Sequence, residues 1–165
     1  MAKVLVIDYE KCTGCRICEQ VCSVQHEGVS NPARSRIKIV KWEPEGRYIP
    51  MGCQQCESAP CKAICPVQAI SWDETLSRVM VDYDSCIGCR ICIAICPFGG
   101  MILDTLARKV IKCDLCDGDP LCAKFCDAGA IRYVDASEQS LMKQIAAADK
   151  FSVILRKVAA SIASV

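Results

Sequence analysis

Alternating apolar and polar residues mark several short β-strands along the chain. The segments KVLVID (residues 3–8) and RVMVDYD (residues 78–84) are rich in β-branched residues and alternate with a period of two. Residues 36–51, RIKIVKWEPEGRYIPM, alternate on both sides of a PEG turn. The pattern therefore predicts two separate strands and, between them, a β-hairpin.

The last thirty residues, 136–165, follow a different period and contain no cysteine, glycine or proline. Their apolar side chains recur at steps of three and four, which is the spacing of an amphipathic helix. Asp135 and Glu138 resemble the pair of residues that caps a helix start. The apolar stripe comprises Leu141, Ile145, Ala148, Phe151, Leu155, Val158, Ile162 and Val165.

Cysteine changes the interpretation of the chain, because it occupies 16 of the 165 positions. The cysteines form four groups of four, and DYEKCTGCRICEQVC around the first group is a near copy of DYDSCIGCRICIAIC around the third. The last two cysteines of each group are one helical turn apart, so each group is predicted to end on a short helix. The groups are Cys12, Cys15, Cys18 and Cys22; Cys53, Cys56, Cys61 and Cys65; Cys86, Cys89, Cys92 and Cys96; and Cys113, Cys116, Cys122 and Cys126.

This spacing is the one that iron–sulfur proteins use. In two-cluster bacterial ferredoxins, the three cysteines of a CxxCxxC loop bind one [4Fe–4S] cluster, and a fourth cysteine binds the other cluster. Sixteen cysteines in four such groups therefore predict four [4Fe–4S] clusters with no thiol left over. Zinc would leave the third cysteine of each loop without a role, and disulfides between such near neighbours would be strained.

Composition and charge exclude other classes of function. The 20 basic and 19 acidic residues give a net charge of +1, which argues against general nucleic-acid binding. No apolar run reaches the roughly 20 residues that cross a bilayer, and MAKVLVIDYEKC at the N-terminus lacks the features of a secretion signal. We therefore expect a cytoplasmic protein whose thiols stay reduced or bind metal. Four bound clusters would shift the net charge to about −7.

The sequence offers no catalytic residues. Its only histidine, His26, lies four residues after Cys22, and we interpret it as incidental to the chemistry. Neither GxGxxG nor a phosphate-binding GxxxxGK[ST] motif occurs. We expect that the chain is not an enzyme on its own.

Two longer motifs connect the chain to known families. The segment from Cys53 to Pro97, with CPVQAI and CIGCRICIAICPF, resembles a bacterial dicluster ferredoxin. With CQQCESAPCKAICPVQAI and KVIKCDLCDGDPLCAKFC, residues 3–134 resemble the four-cluster electron-transfer subunits of molybdenum and tungsten oxidoreductases, such as the dimethyl sulfoxide reductase and formate dehydrogenase small subunits. The compact chain and its NPARSRIKIVKWEPEG insert are most similar to the small iron–sulfur subunits of tungsten aldehyde oxidoreductase and tungsten-type benzoyl-CoA reductase.

The dicluster resemblance implies that the second and third groups pair, and that the first and fourth pair around them. Proline follows the inner groups, at Pro66 and Pro97, but Ser23 and Asp127 follow the outer ones, which agrees with this nesting. Pairing the first group with the second and the third with the fourth is the alternative. The implied ligand sets are Cys12, Cys15, Cys18 and Cys126; Cys53, Cys56, Cys61 and Cys96; Cys86, Cys89, Cys92 and Cys65; and Cys113, Cys116, Cys122 and Cys22.

The resemblance also implies an α+β fold of two nested dicluster-ferredoxin-like modules with a C-terminal amphipathic helix. We expect a four-cluster domain over residues 1–134 and a docking helix over residues 135–165. Within the domain we expect an outer module of residues 1–30 with 100–134, an inner module of residues 50–99, and a hairpin insert of residues 34–51.

The implied function is that of a subunit which relays single electrons between a catalytic subunit, of the tungsten or molybdenum pterin type, and another redox partner. A flavin subunit or further copies of the chain are other candidate partners. A free polyferredoxin that shuttles electrons between soluble enzymes is the alternative. We expect the C-terminal helix to dock on another subunit, although folding back over its own domain is the alternative; the docking residues would be Phe151, Leu155, Val158 and Ile162.

Basic residues near the cysteines allow two interpretations. Arg16 and Arg90 occupy matching places in the first and third loops, where they either tune cluster potentials or are ordinary surface arginines. A further basic set is either a docking face for an acidic partner or one solvated face of the hairpin; it comprises Arg34, Arg36, Lys38, Lys41 and Arg47.

Overall fold

The computed structural model describes residues 3–145 and 147–148. Short strands and short helices alternate along this part of the chain, which confirms the α+β fold class. The strands are β1 (Lys3–Ile7), β2 (Ile37–Trp42), β3 (Arg47–Gly52), β4 (Ile70–Asp73), β5 (Arg78–Val81), β6 (Met101–Asp104), β7 (Lys109–Lys112) and β8 (Ile131–Asp135). The α-helices are α1 (Ile17–Glu27), α2 (Pro60–Ala63), α3 (Ile91–Ile95) and α4 (Leu121–Lys124), and a further helix includes residues 136–145 and 147–148.

The strands pair two by two, as β1 with β8, β2 with β3, β4 with β5, and β6 with β7. The predicted strands at residues 3–8 and 78–84 correspond to β1 and β5. The predicted hairpin is β2–β3, with Ile37 opposite Gly52 and Trp42 opposite Arg47. Strands β4, β6, β7 and β8 were not predicted. Two-stranded sheets are marginally stable by themselves, so these sheets depend on packing against the rest of the fold.

Each cysteine group ends on a short helix, as the spacing predicts. Helix α1 contains both Cys18 and Cys22 and continues to Glu27, where Gly28 ends it with a φ of 70°. Helices α2 and α4 are a single turn long, and a proline stands at or just before their first residue, where a missing N–H costs nothing.

The fold contains two equivalent halves that reflect the duplication in the sequence. The Asp8 N–H donates to the carbonyl of Ala130, and the Asp82 N–H donates to the carbonyl of Ala69, both at 2.8 Å. Helix α1 packs on α4, and α2 packs on α3. The first cysteine group therefore lies beside the fourth, and the second lies beside the third.

Cysteine side chains form much of the small hydrophobic core. One buried cluster packs Cys18, Cys22 and Cys122 with Ile37 and Ile131. A second packs Cys61 with five apolar residues and has four further cysteines at its margin; its buried members are Ala59, Cys61, Ile70, Val79, Met101 and Val110. Because the sulfur atoms occupy core positions, the architecture is organised around them.

Residues 5–133 form one compact unit, and residues 134–148 belong to a second together with the start of β1. Asp135 accepts hydrogen bonds from the N–H and hydroxyl of Ser137, at 3.0 and 2.6 Å, which agrees with a cap at this point. None of the helices in residues 3–145 and 147–148 is long and apolar enough to cross a membrane. The predicted docking residues lie outside the described part of the chain; they are Phe151, Leu155, Val158 and Ile162.

The basic residues of the insert do not form one docking face, so that interpretation is wrong. Arg34 pairs with Glu27 at 2.5 Å and with Asp104 at 2.8 Å, and Arg36 pairs with Asp114 at 2.5 Å. The Lys38 ammonium donates to a backbone carbonyl. These charges hold the insert to the rest of the fold, and Lys41 and Arg47 pair with acidic residues of the hairpin turn.

The Asp104 carboxylate is the buried anchor of this attachment. It is 2% exposed, accepts from the Arg34 guanidinium, and also accepts from the N–H groups of Leu106 and Ala107 at 2.9 and 3.2 Å. We predict that Asp104→Ala lowers the free energy of unfolding by about 2–4 kcal/mol, because it leaves a partly buried cation and two N–H groups without their acceptor. The measurement is the urea midpoint for loss of the visible iron–sulfur absorbance under anaerobic conditions.

Asp119→Ala is the matched control. Asp119 is exposed and pairs with the exposed Lys124, so its loss should cost less than about 1 kcal/mol. Equal urea midpoints for the two variants would show that Asp104 does not anchor the insert.

Candidate iron–sulfur sites

Three pockets of the structure are each lined by four cysteines, three from one group and one from another. Their cysteines are Cys12, Cys15, Cys18 and Cys126 in the first; Cys53, Cys56, Cys61 and Cys96 in the second; and Cys65, Cys86, Cys89 and Cys92 in the third. Each pocket contains the three cysteines of one loop and the last cysteine of the group that lies beside it. These are the same combinations as three of the predicted ligand sets.

The remaining four cysteines also lie close together. Burial is the main cause that raises the pKa values of Cys113, Cys116 and Cys122, and the negative charge of Cys22 contributes to the rise for all three. Cys22 comes from α1, whereas the other three come from the fourth group. The structure thus brings together the fourth predicted set, while its bonds to iron stay a prediction.

The buried thiols are unsuited to remain as free, ionisable groups. Burial raises the pKa of Cys18 to about 12 and that of Cys113 to about 12, so these sulfur atoms keep their protons at neutral pH. Binding of a soft metal centre removes the proton and supplies positive charge, which makes buried thiolate favourable. Four sulfur donors in each group are the donor set of a [4Fe–4S] cluster, so the residues fit that cofactor.

Backbone N–H groups point at several of the sulfur atoms. The Arg36 N–H donates to Cys22 Sγ at 3.3 Å, and the Gly100 N–H donates to Cys96 Sγ at 3.2 Å. Although burial opposes the effect, His26 and the Arg36 N–H lower the pKa of Cys22. Such hydrogen bonds stabilise negative charge on sulfur and are one means by which proteins set cluster potentials.

His26, which the sequence analysis left without a role, joins the first and fourth groups. Its Nε2 lies 2.9 Å from a carboxylate oxygen of Asp114, which also binds Arg36. The bond to Asp114 raises the pKa of His26 to about 10. Although burial opposes it, the bonds from His26 and Arg36 lower the pKa of Asp114. Because this ion pair connects α1 to the Cys113–Cys116 loop, it positions Cys22 beside the fourth group.

Two glycines leave room for close contacts at the loops. A Cβ on Gly14, where φ is +71°, would meet the ring of Tyr48 at 2.6 Å, so the insert lies directly on the first loop. A Cβ on Gly100 would lie 2.6 Å from the Cα of Cys53. Positive φ at Gly14 agrees with the sequence analysis, whereas the roles of Tyr48 and Gly100 were missed because they depend on distant parts of the chain.

Arg16 and Arg90 both have left-handed backbone conformations, with φ values of 64° and 66°, at the start of α1 and α3. The Arg16 side chain is 44% exposed and pairs with Glu19 at 2.5 Å. Glu19 is buried, and its second carboxylate oxygen accepts from the Ile39 N–H at 2.9 Å. Arg16 therefore helps to fix α1 against the insert, and whether either arginine tunes a potential stays a hypothesis.

Comparison with known families agrees with this arrangement. Residues 44–136 match the family described as 4Fe-4S dicluster domain, and residues 3–24 match a 4Fe-4S binding domain. The chain belongs to the 4Fe-4S dicluster domain family. It follows that the chain binds several [4Fe–4S] clusters, and four is the number that its sixteen cysteines accommodate.

Several relatives of this dicluster protein are electron-transfer proteins by name. It is 42% identical over 93 residues to the polyferredoxin-like subunit of aliphatic sulfonate oxidoreductase from Pyrococcus furiosus, covering 56% of this chain and 53% of that protein. It is 38% identical over 110 residues to the electron transport protein HydN of Escherichia coli, covering 61% and 59%. It is 36% identical over 107 residues to a subunit of selenate reductase from Mesobacillus selenatarsenatis, covering 61% and 36%.

The matched part of the chain therefore spans between about a third and three fifths of these relatives' lengths. Among solved structures, the dicluster protein is 26% identical to a chain of the BamBC active-site complex of benzoyl coenzyme A reductase as isolated. That match covers 95% of this chain and 96% of that chain, with a TM-score of 0.49. A similarity this low supports no conclusion about the fold or its partners.

The contribution of Cys22 to the fourth group can be tested by pairs of variants. We predict that Cys22→Ser perturbs the same cluster as Cys116→Ser, and a different cluster from that perturbed by Cys12→Ser, because Cys22 lies with the fourth group in space. Mössbauer and EPR spectra of the anaerobic proteins measure which spectral component changes in each variant. The nested ligand sets are contradicted if Cys22→Ser and Cys12→Ser change the same component.

Proposed function

We propose that this dicluster protein is an electron-transfer subunit that relays single electrons through four [4Fe–4S] clusters between a catalytic subunit and another redox partner. Each bound cluster supplies a one-electron redox centre. The residues of the chain hold the clusters in place, exclude water from them and set the order in which they lie. In this proposal the four ligand sets, the domain of residues 1–134 and the helix of residues 135–165 are those predicted from the sequence.

One observation carries the proposal, namely the spatial order of the cysteine sites. Negative charge on Cys18, of the first set, contributes to the pKa of Cys122, of the fourth. In the same way Cys53, of the second set, contributes to that of Cys113. Cys61 contributes to the pKa of Cys92, which links the second set to the third. The order that follows is first, fourth, second, third.

The two ends of this order are the parts of the site nearest to solvent. Cys15, in the first set, and Cys89, in the third, are exposed, whereas Cys61 and Cys122 in the central sets are buried. Large apolar side chains lie beside the exposed cysteines. Ile87, next to Gly88 and Cys89, is 65% exposed. Exposed apolar residues at an electron entry point fit a surface that a redox partner covers.

The names of the relatives support a place in an oxidoreductase complex. The selenate reductase and sulfonate oxidoreductase relatives are subunits, which favours a dedicated catalytic partner over free diffusion. We propose a partner of the tungsten or molybdenum pterin type, in the cytoplasm, with a flavin subunit or a second copy of the chain as further neighbours. In this proposal the apolar stripe of the C-terminal helix makes the contact.

Isolation of the tagged chain from its native source under anaerobic conditions tests this function. We predict that it co-purifies with a larger subunit and with tungsten or molybdenum at about one atom per chain, because a relay subunit needs a dedicated donor or acceptor. The measurement is the subunit composition with metal analysis by mass spectrometry. Full-length protein that elutes alone, and is reduced and reoxidised by separate soluble enzymes, would favour the polyferredoxin shuttle instead.

A chain truncated before residue 138 is the matched control for docking. It should keep the iron content and cluster spectra of the full chain but should no longer retain the partner. Loss of iron from the truncated chain would mean that the helix belongs to the cluster-binding domain.

A further inference from the structure

A buried lysine lies between the two central cysteine sites. Lys112 ends β7, directly before Cys113, and is 2% exposed. Its ammonium donates to the carbonyl of Val79, to Gln55 Oε1 at 3.0 Å and to the carbonyl of Cys113 at 2.5 Å. Three donors therefore meet three acceptors, which satisfies the hydrogen-bonding capacity of a charged lysine.

Its charge, however, is not neutralised by a carboxylate. Within residues 3–145 and 147–148, no aspartate or glutamate forms an ion pair with Lys112. Lysine is almost never fully buried without a partner, because an uncompensated charge in the interior is costly. A nearby negative group that fits this site is the thiolate-bound cluster on either side, each of which carries a net charge of about −2.

Gln55 fixes the lysine and connects both sites. It lies between Cys53 and Cys56 in a left-handed conformation, with φ of 49°. Its Nε2 donates to the carbonyl of Cys113 at 2.8 Å, and its Oε1 accepts from Lys112 and from the Val79 N–H at 2.9 Å. One side chain of the second group's loop thus holds the cation against the start of the fourth group.

The charge of Lys112 acts on sulfur atoms of both sites. Burial raises the pKa of Cys61, in the second set, and the pKa of Cys113, in the fourth, and the positive charge of Lys112 opposes the rise in each case. The same charge favours any added negative charge at these sulfur atoms, including that of an electron.

We propose that Lys112, held by Gln55, is an electrostatic tuning residue that raises the reduction potentials of the two central clusters. The central sites then accept an electron more readily than they would without the cation, so that an electron is stabilised inside the protein and away from solvent. This inference deepens the proposed relay function and rests on it for its physiological meaning. The potentials themselves belong to the isolated chain.

Lys112→Met tests the proposal because it removes the charge and keeps an unbranched side chain. We expect the equilibrium constant for one-electron reduction to fall at least about tenfold at one or both central clusters, which is about 59 mV for a one-electron couple. Lys112→Arg, which keeps the charge, should restore the potentials to within about threefold of this constant. The measurement is an anaerobic redox titration of the chain without partners, followed by EPR.

Lys109→Met is the matched control, because Lys109 lies at the exposed start of the same strand. It should leave all four potentials unchanged. Four unchanged potentials in Lys112→Met protein that keeps its iron would overturn the proposal.

A second variant covers the case in which Lys112→Met loses iron. Gln55→Glu keeps the size of the side chain and places a carboxylate against the ammonium, so it should lower the same potentials as loss of the lysine. Unchanged potentials in this variant, or loss of iron from both variants, would mean that Lys112 and Gln55 are structural only and would also overturn the proposal. Failure of the relay function would appear separately, as absence of a partner despite shifted potentials.

Discussion

The structure depends on sulfur atoms that are buried and yet have to carry negative charge. Burial favours the neutral thiol, as the raised pKa values of Cys18, Cys113 and Cys122 show. Iron binding reverses this preference, because the thiolate then shares its charge with the metal. The same bonds connect segments that are far apart in the sequence. Assembly of the clusters and folding of the chain are therefore expected to be coupled.

The rest of the fold follows from this constraint. Helices of four or five residues and two-stranded sheets have little stability of their own, and the hydrophobic clusters are small. The polar network compensates in part: the ion pair of His26 with Asp114 and that of Arg34 with Asp104 cross-link the insert, α1 and the fourth group. Lys112 adds a positive charge where two anionic sites come closest. The duplicated halves then place the four sites in one row with exposed ends.

The sequence analysis predicted the features that are written in local spacing. The repeated cysteine groups predicted the short helices and the cofactor, and alternation predicted β1, β5 and the β2–β3 hairpin. It missed β4 and β6 to β8, because four or five residues give too short a pattern to detect. It also missed contacts between residues far apart in the chain: His26 and Asp114 are separated by 88 positions, and Lys112 and Gln55 by 57. No local pattern contains that information.

The central claim is that all sixteen cysteines bind four [4Fe–4S] clusters in a single chain. The most direct test is the iron and acid-labile sulfide content of protein prepared without oxygen, measured against chain concentration from amino-acid analysis. The account predicts about sixteen iron and about sixteen sulfide ions per chain. About half that content in fully assembled protein, or stoichiometric zinc, would contradict it.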